Sequence, residues 1–177
     1  MIFPEKEKHY AEVEKLIHSC HIMTLGTTDI KSVWTAPVYY IYLNSGFYFF
    51  SKATSRHILH TEVSGKAAAS IHNNPQGWAD IQGVQMEGVV SRAGCGKKSR
   101  QAFSAYVKRF PFVHEIMGGS FSGSLEGFTE QFKVRWYIFV PEKMVYLDNS
   151  VGFGFRRQIP CNQHGWTKSS GHSHNEQ

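Results

Sequence analysis

Residues 35–58 read TAPVYYIYLNSGFYFFSKATSRHI, and the local pattern changes three times along them. The opening run is rich in β-branched and aromatic side chains, the composition of a strand. Asn44-Ser45-Gly46 is a turn signal and Phe47-Tyr48-Phe49-Phe50-Ser51 a second strand, so the pair predicts a hairpin. That second strand runs straight into Lys52, Thr54, Ser55, Arg56, His57 and His60. A plain turn needs none of these groups. Ser55 is a natural N-cap, which puts Arg56 and His57 in the first turn of a short helix carrying Ile58, Leu59 and Val63. Free backbone N–H groups and the positive end of the helix dipole favour an anion there. Arg56 adds a planar fork matched to phosphate oxygens, His57 a further donor, and Ser51, Lys52 and Thr54 stand beside them. A capped surface helix with solvated charges would use the same residues, but the aromatic strand just before it offers a place for a flat ring. A phosphate joined to a flat ring describes a nucleotide or a flavin.

Working outward, residues 4–20 predict a helix, with Val13, Leu16, Ile17 and Cys20 on one face and Pro4 in its first turn. HIMTLGT (21–27), KAAASIH (66–72) and ADIQGVQMEGVVSR (79–92) predict strands. Residues 97–110 return to a helical period through Phe103, Tyr106, Val107 and Phe110, and FPFVHEIM supplies a short helix after it. MGGSFSGSLEG (117–127) predicts a mobile loop, a candidate lid. KVRWYIFVP and KMVYLD predict two more strands. Many strands with a few flanking helices imply a mainly β fold, a small barrel rather than a parallel α/β sheet. Residues 1–160 are expected to form one domain and 161–177, which lack periodicity, a disordered tail.

Composition narrows the class. With 177 residues the chain is long enough to bury a core without staples. Cys20, Cys95 and Cys161 form no CxxC pair, which argues for free thiols, against zinc and for a cytoplasmic address. The N-terminal residues carry charges where a signal peptide needs an apolar core, and the apolar runs are too short to span a bilayer, so no membrane partner is expected. The formal charge of +5 is a mild excess that suits phosphorylated small molecules better than nucleic acid.

TAPVYYIYLNSGFYFFSKATSRHI followed by DIQGVQMEGVV resembles the FMN-binding split barrel of the pyridoxamine 5'-phosphate oxidase-like superfamily. TSRHILH, IQGVQMEG, KRFPFV and DNSVGFGFRR, in that order, are similar to the YhbP-like group of largely uncharacterised bacterial proteins within it, over about residues 10–158. The resemblance implies non-covalent FMN at the interface of a homodimer. It implies that Thr35, Ala36, Pro37 and Val38 present backbone groups to the isoalloxazine edge, and that Phe50 and Ser51 contact the flavin. Arg56 and His57 match the basic pair on the FMN phosphate, next to Ser55. Tyr40 stands where the oxidase has a phosphate-binding Lys, which leaves Lys52 as the replacement charge. Gln82, Gly83 and Gln85 surround the position of a flavin-contacting Gln, and the GFGFRR segment would approach the flavin from the partner subunit. The implied activity is an FMN-dependent oxidoreductase, with NADH or NADPH as candidate electron donor. Oxidation of pyridoxamine 5'-phosphate itself is not expected, because the Arg-x-His substrate signature is missing. A non-enzymatic flavin carrier and a haem-binding split barrel are the alternatives.

Three further clusters read more plainly. Arg92, Lys97, Lys98, Arg100, Lys108 and Arg109 describe a solvated helix face rather than a nucleic-acid patch, since the interleaved aromatics keep core spacing. His164, His172 and His174 lack a carboxylate or Cys framework for a metal. His18 and His21, either side of Cys20, suit a structural role.

Overall fold

The computed structural model describes residues 4–44, 46–117, 123–162 and 165–166. Helix α1 (Pro4–Ser19) precedes strands β1 (Ile22–Thr28), β2 (Val33–Leu43) and β3 (Gly46–Ser51). Helix α2 (Arg56–Ser64) follows, then β4 (Ala67–His72), a 3-10 turn at Trp78–Asp80 and β5 (Gln82–Arg92). Three helices come next, α3 (Lys97–Arg109), α4 (Phe112–Met117) and α5 (Leu125–Phe132), and then β6 (Arg135–Asp148) and β7 (Arg156–Ile159).

The strands run β3-β2-β1-β4-β5-β6, all antiparallel, and β6 returns to pair with β3. That pairing, from Phe47 opposite Phe139 to Ser51 opposite Arg135, closes a six-stranded barrel and removes two sheet edges. The mainly β barrel expected from the sequence is the fold observed. Two predicted strands, KVRWYIFVP and KMVYLD, are instead the single strand β6, which passes through Pro141 without a break. Proline lacks an N–H for the ladder, and the register of β5 shifts at Glu87/Gly88, where Gly88 faces Pro141. Gly88 is required at that bulge: an added Cβ would run into the Val140 carbonyl oxygen and lie 2.9 Å from Pro141 Cα.

Strand alternation divides the apolar residues into two cores. The barrel interior holds Met23, Leu25, Val38, Tyr40, Phe47, Phe49, Val84, Met86, Phe139 and Met144, joined by Val13, Leu16 and Ile17 of α1 and Ile58 of α2. On the outside of β2, β3 and β6 lies a second, aromatic core, with Tyr48 and Trp136 against Phe103, Tyr106, Phe110 and Phe128 of the helices. Helix α5 was not foreseen, because Ser124-Leu125-Glu126-Gly127 reads as the end of a Gly/Ser loop. Ser124 accepts a hydrogen bond from Gly127 N at 3.1 Å and caps the helix, and Leu125 and Phe128 bury against the wall. Residues 118–122 of the predicted loop lie outside the described residues.

Arg109 corrects the reading of its helix face as solvated. Its Nη2 donates to the carbonyls of His18 (2.7 Å), in the last turn of α1, and of Cys20 (2.6 Å), just past it. The stretch from Cys161 opens with a short hairpin, Cys161–Asn162 paired with Gly165–Trp166, while residues 167–177 lie outside the described residues. No helix among the described residues is long and apolar enough to cross a membrane.

Candidate functional site

The second core covers only part of the barrel. No helix among the described residues covers the outer face of β1, β4, β5 and the first half of β2, and one cross-strand row on it runs Thr35, Gly26, Ala68, Glu87. Three of these four side chains are small, so the row forms the floor of an open groove of about 590 Å³, lined also by Trp34 and Lys66. That volume falls within the ~300–1,000 Å³ usual for small-molecule sites. The next row along the same face is Pro37, Thr24, Ser70, Gln85.

Trp34 joins this groove to the start of α2. The Arg56 guanidinium carbon lies 4.6 Å from the centre of the Trp34 ring, a cation–π arrangement. Arg56 Nη2 donates to Ser32 Oγ at 3.0 Å and Nε to His60 Nε2 at 3.3 Å. Ser32 is held in turn by the Asp29 carboxylate, which accepts its N–H at 2.8 Å and its hydroxyl at 2.9 Å. Those Ser32 bonds hold the Asp29 carboxyl below the usual carboxylate range. The tight β1–β2 turn that presents these groups places Ile30 in the left-handed region, at φ 78°.

Next to Arg56, His57 Nε2 lies 2.8 Å from Ser51 Oγ, which also reaches Ser55 Oγ at 3.1 Å. Burial, followed by the neighbouring His60, lowers the His57 pKa, so the ring is neutral at neutral pH. When Ser51 donates to Nε2, the ring carries Nδ1–H as a free donor. Ser55 stands at the N-cap, yet its side chain does not cap: its carbonyl accepts Ile58 N (2.9 Å) and Leu59 N (3.1 Å). The amides of Arg56 and His57, in the first turn, have no intrahelical acceptor. Lys52 and Thr54 are exposed beside them.

The residues singled out in the sequence therefore separate by direction. Thr35, Pro37, Gly83 and Gln85 belong to the outer face, with Thr35 in the groove. Ala36 and Val38 point into the barrel and can offer the groove only their backbone. Phe50 points to the aromatic wall, 4.2 Å from Trp136 and 4.4 Å from Phe128 between ring centres. Gln82 donates Nε2 to Asp148 at 3.0 Å. Burial pushes the Asp148 carboxyl up, but hydrogen bonds from Ser150, Tyr146 and Gln82 outweigh it and hold the pKa low. Tyr40 is fully buried, donating its hydroxyl to the Ile17 carbonyl at 2.6 Å, a structural tie rather than an anion contact. Phe153 of GFGFRR is 88% exposed and is not part of the groove lining.

The sequence reading missed Asp29, Ser32 and Trp34 as members of this cluster and gave His60, counted among its polar groups, no role beside Arg56. Two signals were present: His60 lies four residues after Arg56, on the same helix face, and Asp29 through Ser32 has the composition of an Asx turn.

No family model matches the sequence. A UPF0306 protein of Klebsiella pneumoniae is 25% identical over 146 residues, covering 81% of this chain and 88% of its own. HutZ of Vibrio cholerae, described as a haem storage protein, has a similar structure with a TM-score of 0.60 at 14% identity, over 76% of this chain and 91% of its own. A FAD-binding protein of Mesorhizobium loti gives a TM-score of 0.56 at 13% identity, over 76% and 89%. These structural likenesses identify the barrel as a split barrel.

Proposed function

We propose that this protein binds FMN non-covalently, with the 5'-phosphate at the start of α2 and the ring in the neighbouring groove, and acts as an oxidoreductase. One observation carries this reading: Trp34 lines the apolar groove and also stacks against Arg56, so a single ligand with a flat body and an anionic end could span the two. The donors suit a phosphate dianion: the guanidinium of Arg56, His57, the amides of the first helical turn, and Lys52 and Thr54 at the edge. Nη1 of Arg56 makes no hydrogen bond to the described residues, so it remains to meet an oxygen. Thr35, Gly26 and Ala68 keep the groove floor low enough for a planar ring. Bound flavin would supply the hydride and electron chemistry, while the chain would bind the cofactor, orient it and wall it off. The bare wall is a suitable face for a second copy, since Ile22, Val33, Trp34 and Tyr39 remain exposed on it or at its border; a homodimer would enclose the groove.

Titrating the apoprotein with FMN and riboflavin tests the anion assignment. Wild type should prefer FMN, and Arg56→Ala should lose most of that preference, a drop of about tenfold or more for one charge-assisted contact. Equal wild-type affinity for the two flavins would sink the reading. The likeness to a haem storage protein brings haem forward as the competing ligand, and the absorption spectrum of the purified protein separates the two: a Soret band means haem. Anaerobic mixing with NADH or NADPH then separates an oxidoreductase, whose flavin band bleaches, from a carrier.

A further inference from the structure

His60 is 3% exposed and touches neither the groove nor solvent, yet three polar groups converge on its ring. Arg56 Nε approaches Nε2 at 3.3 Å, Thr27 Oγ1 lies 3.4 Å from Nδ1, and Asp29 Oδ2 stands 3.6 Å from Nε2. An arginine Nε always carries its hydrogen, so this contact assigns His60 Nε2 as the acceptor and the ring proton to Nδ1. From there the polarity runs one way. Arg56 donates to His60, His60 Nδ1–H points to Thr27, and the Thr27 hydroxyl points to the Trp34 carbonyl at 3.5 Å. These contacts are long, but no group in the chain has two donors or two acceptors facing each other, apart from Nε2 and Asp29. Asp29 Oδ2, at 3.6 Å, stands beyond hydrogen-bond distance of Nε2, while its Oδ1 holds Ser32, whose hydroxyl oxygen accepts Arg56 Nη2.

Arg56 is thus held on three sides: by the Trp34 face, by Ser32 on one nitrogen and by His60 on another. We propose that His60 is a positioning residue that aims the Arg56 guanidinium, leaving Nη1 to the ligand, and thereby sets the preference for a phosphorylated over an unphosphorylated flavin. The inference rests on the FMN reading for its consequence, but not for the brace itself. A long exposed arginine loses rotamer freedom when it binds, and a buried acceptor that fixes the side chain beforehand removes part of that cost.

The test uses the full chain with His60→Leu, which removes the acceptor, and His60→Gln, which restores a carbonyl oxygen. His60→Leu should weaken FMN roughly two- to tenfold, the cost of ordering one long side chain on binding, while riboflavin binds as before. His60→Gln should recover most of the preference. Equal weakening of both flavins in His60→Leu would mean a packing role only and would overturn the proposal, as would no change for either. Nitrogen-15 NMR of the ligand-free protein tests the brace without flavin. The ring should be the Nδ1–H tautomer, and the Arg56 Nε–H should exchange with water more slowly in wild type than in His60→Leu. An Nε2–H ring defeats the proposal whatever the flavins do. If the NMR signature holds while Arg56→Ala binds both flavins like wild type, the brace stands and the FMN reading falls.

Discussion

The two outer walls of the barrel are built from different strands of one closed sheet and do opposite things. Along β3 and the first half of β6, outward positions are Tyr48, Phe50 and Trp136, and α3 and α5 close over them. Across β2, β1, β4 and β5, the outward row is Thr35, Gly26, Ala68 and Glu87, and no helix among the described residues covers it. Large rings recruit cover because leaving them wet costs about 1.5–3 kcal/mol each. Small side chains recruit nothing and leave a groove. The difference teaches that the candidate groove lies where the wall is thin in side chains rather than where it is rich in them. The surplus of aromatic residues that suggests a ring site in the sequence is divided between the barrel interior and the closed wall.

The sharpest way to break this comparison is to cut the covered wall. Trp136→Ala removes a buried indole that meets Tyr48, Phe50, Phe103 and Tyr106. Denaturant unfolding should show a loss of about 3–5 kcal/mol. A loss under about 1 kcal/mol would mean that the helices are held by something else. The turn bordering the bare wall should respond in the opposite direction. Ile30 is 87% exposed with a left-handed backbone, so Ile30→Asn should raise stability by about 1 kcal/mol, as seen in the same unfolding curves.

A smaller effect comes from His57, between the two walls. Its folded pKa lies below the unfolded value of about 6.5 because burial and then His60 disfavour the charged ring. Below about pH 6.5 the unfolded chain therefore takes up more protons than the folded one, and stability falls as pH drops through the folded pKa. Melting temperatures from pH 8 to pH 5 should decline more steeply for wild type than for His57→Gln; parallel curves would assign the acid sensitivity to another group. The smallest change in stability should come from Ala68→Arg on the bare wall, within about 0.5 kcal/mol for the isolated fold. The same change should convert a dimer to a monomer by light scattering and abolish flavin binding. A dimer that keeps its flavin would move both the interface and the ring site off this wall.

Local sequence determined much of this protein. Short apolar runs between turn signals mark β1 through β4, alternation marks β5, Asn44 and Gly46 mark the hairpin, and Ser55 with Ile58 marks α2, because each signal is carried by residues within a few positions of one another. The clustering of donor groups from Ser51 to His57 is legible for the same reason: strand end, cap position and first turn are consecutive. Tertiary structure alone decided the rest. Pro141 reads as the end of a strand until Gly88 of β5 is set opposite it. Ser124 to Phe132 reads as loop until the aromatic wall gives Leu125 and Phe128 a surface to bury against. Arg109 reads as solvated until the α1 carbonyls are brought to it. His60 reads as one more histidine on a short helix until barrel closure delivers Thr27, Asp29 and Ser32 to its face and to that of Arg56. Those contacts join residues 24 to 33 positions apart, and no local period encodes a partner at that distance.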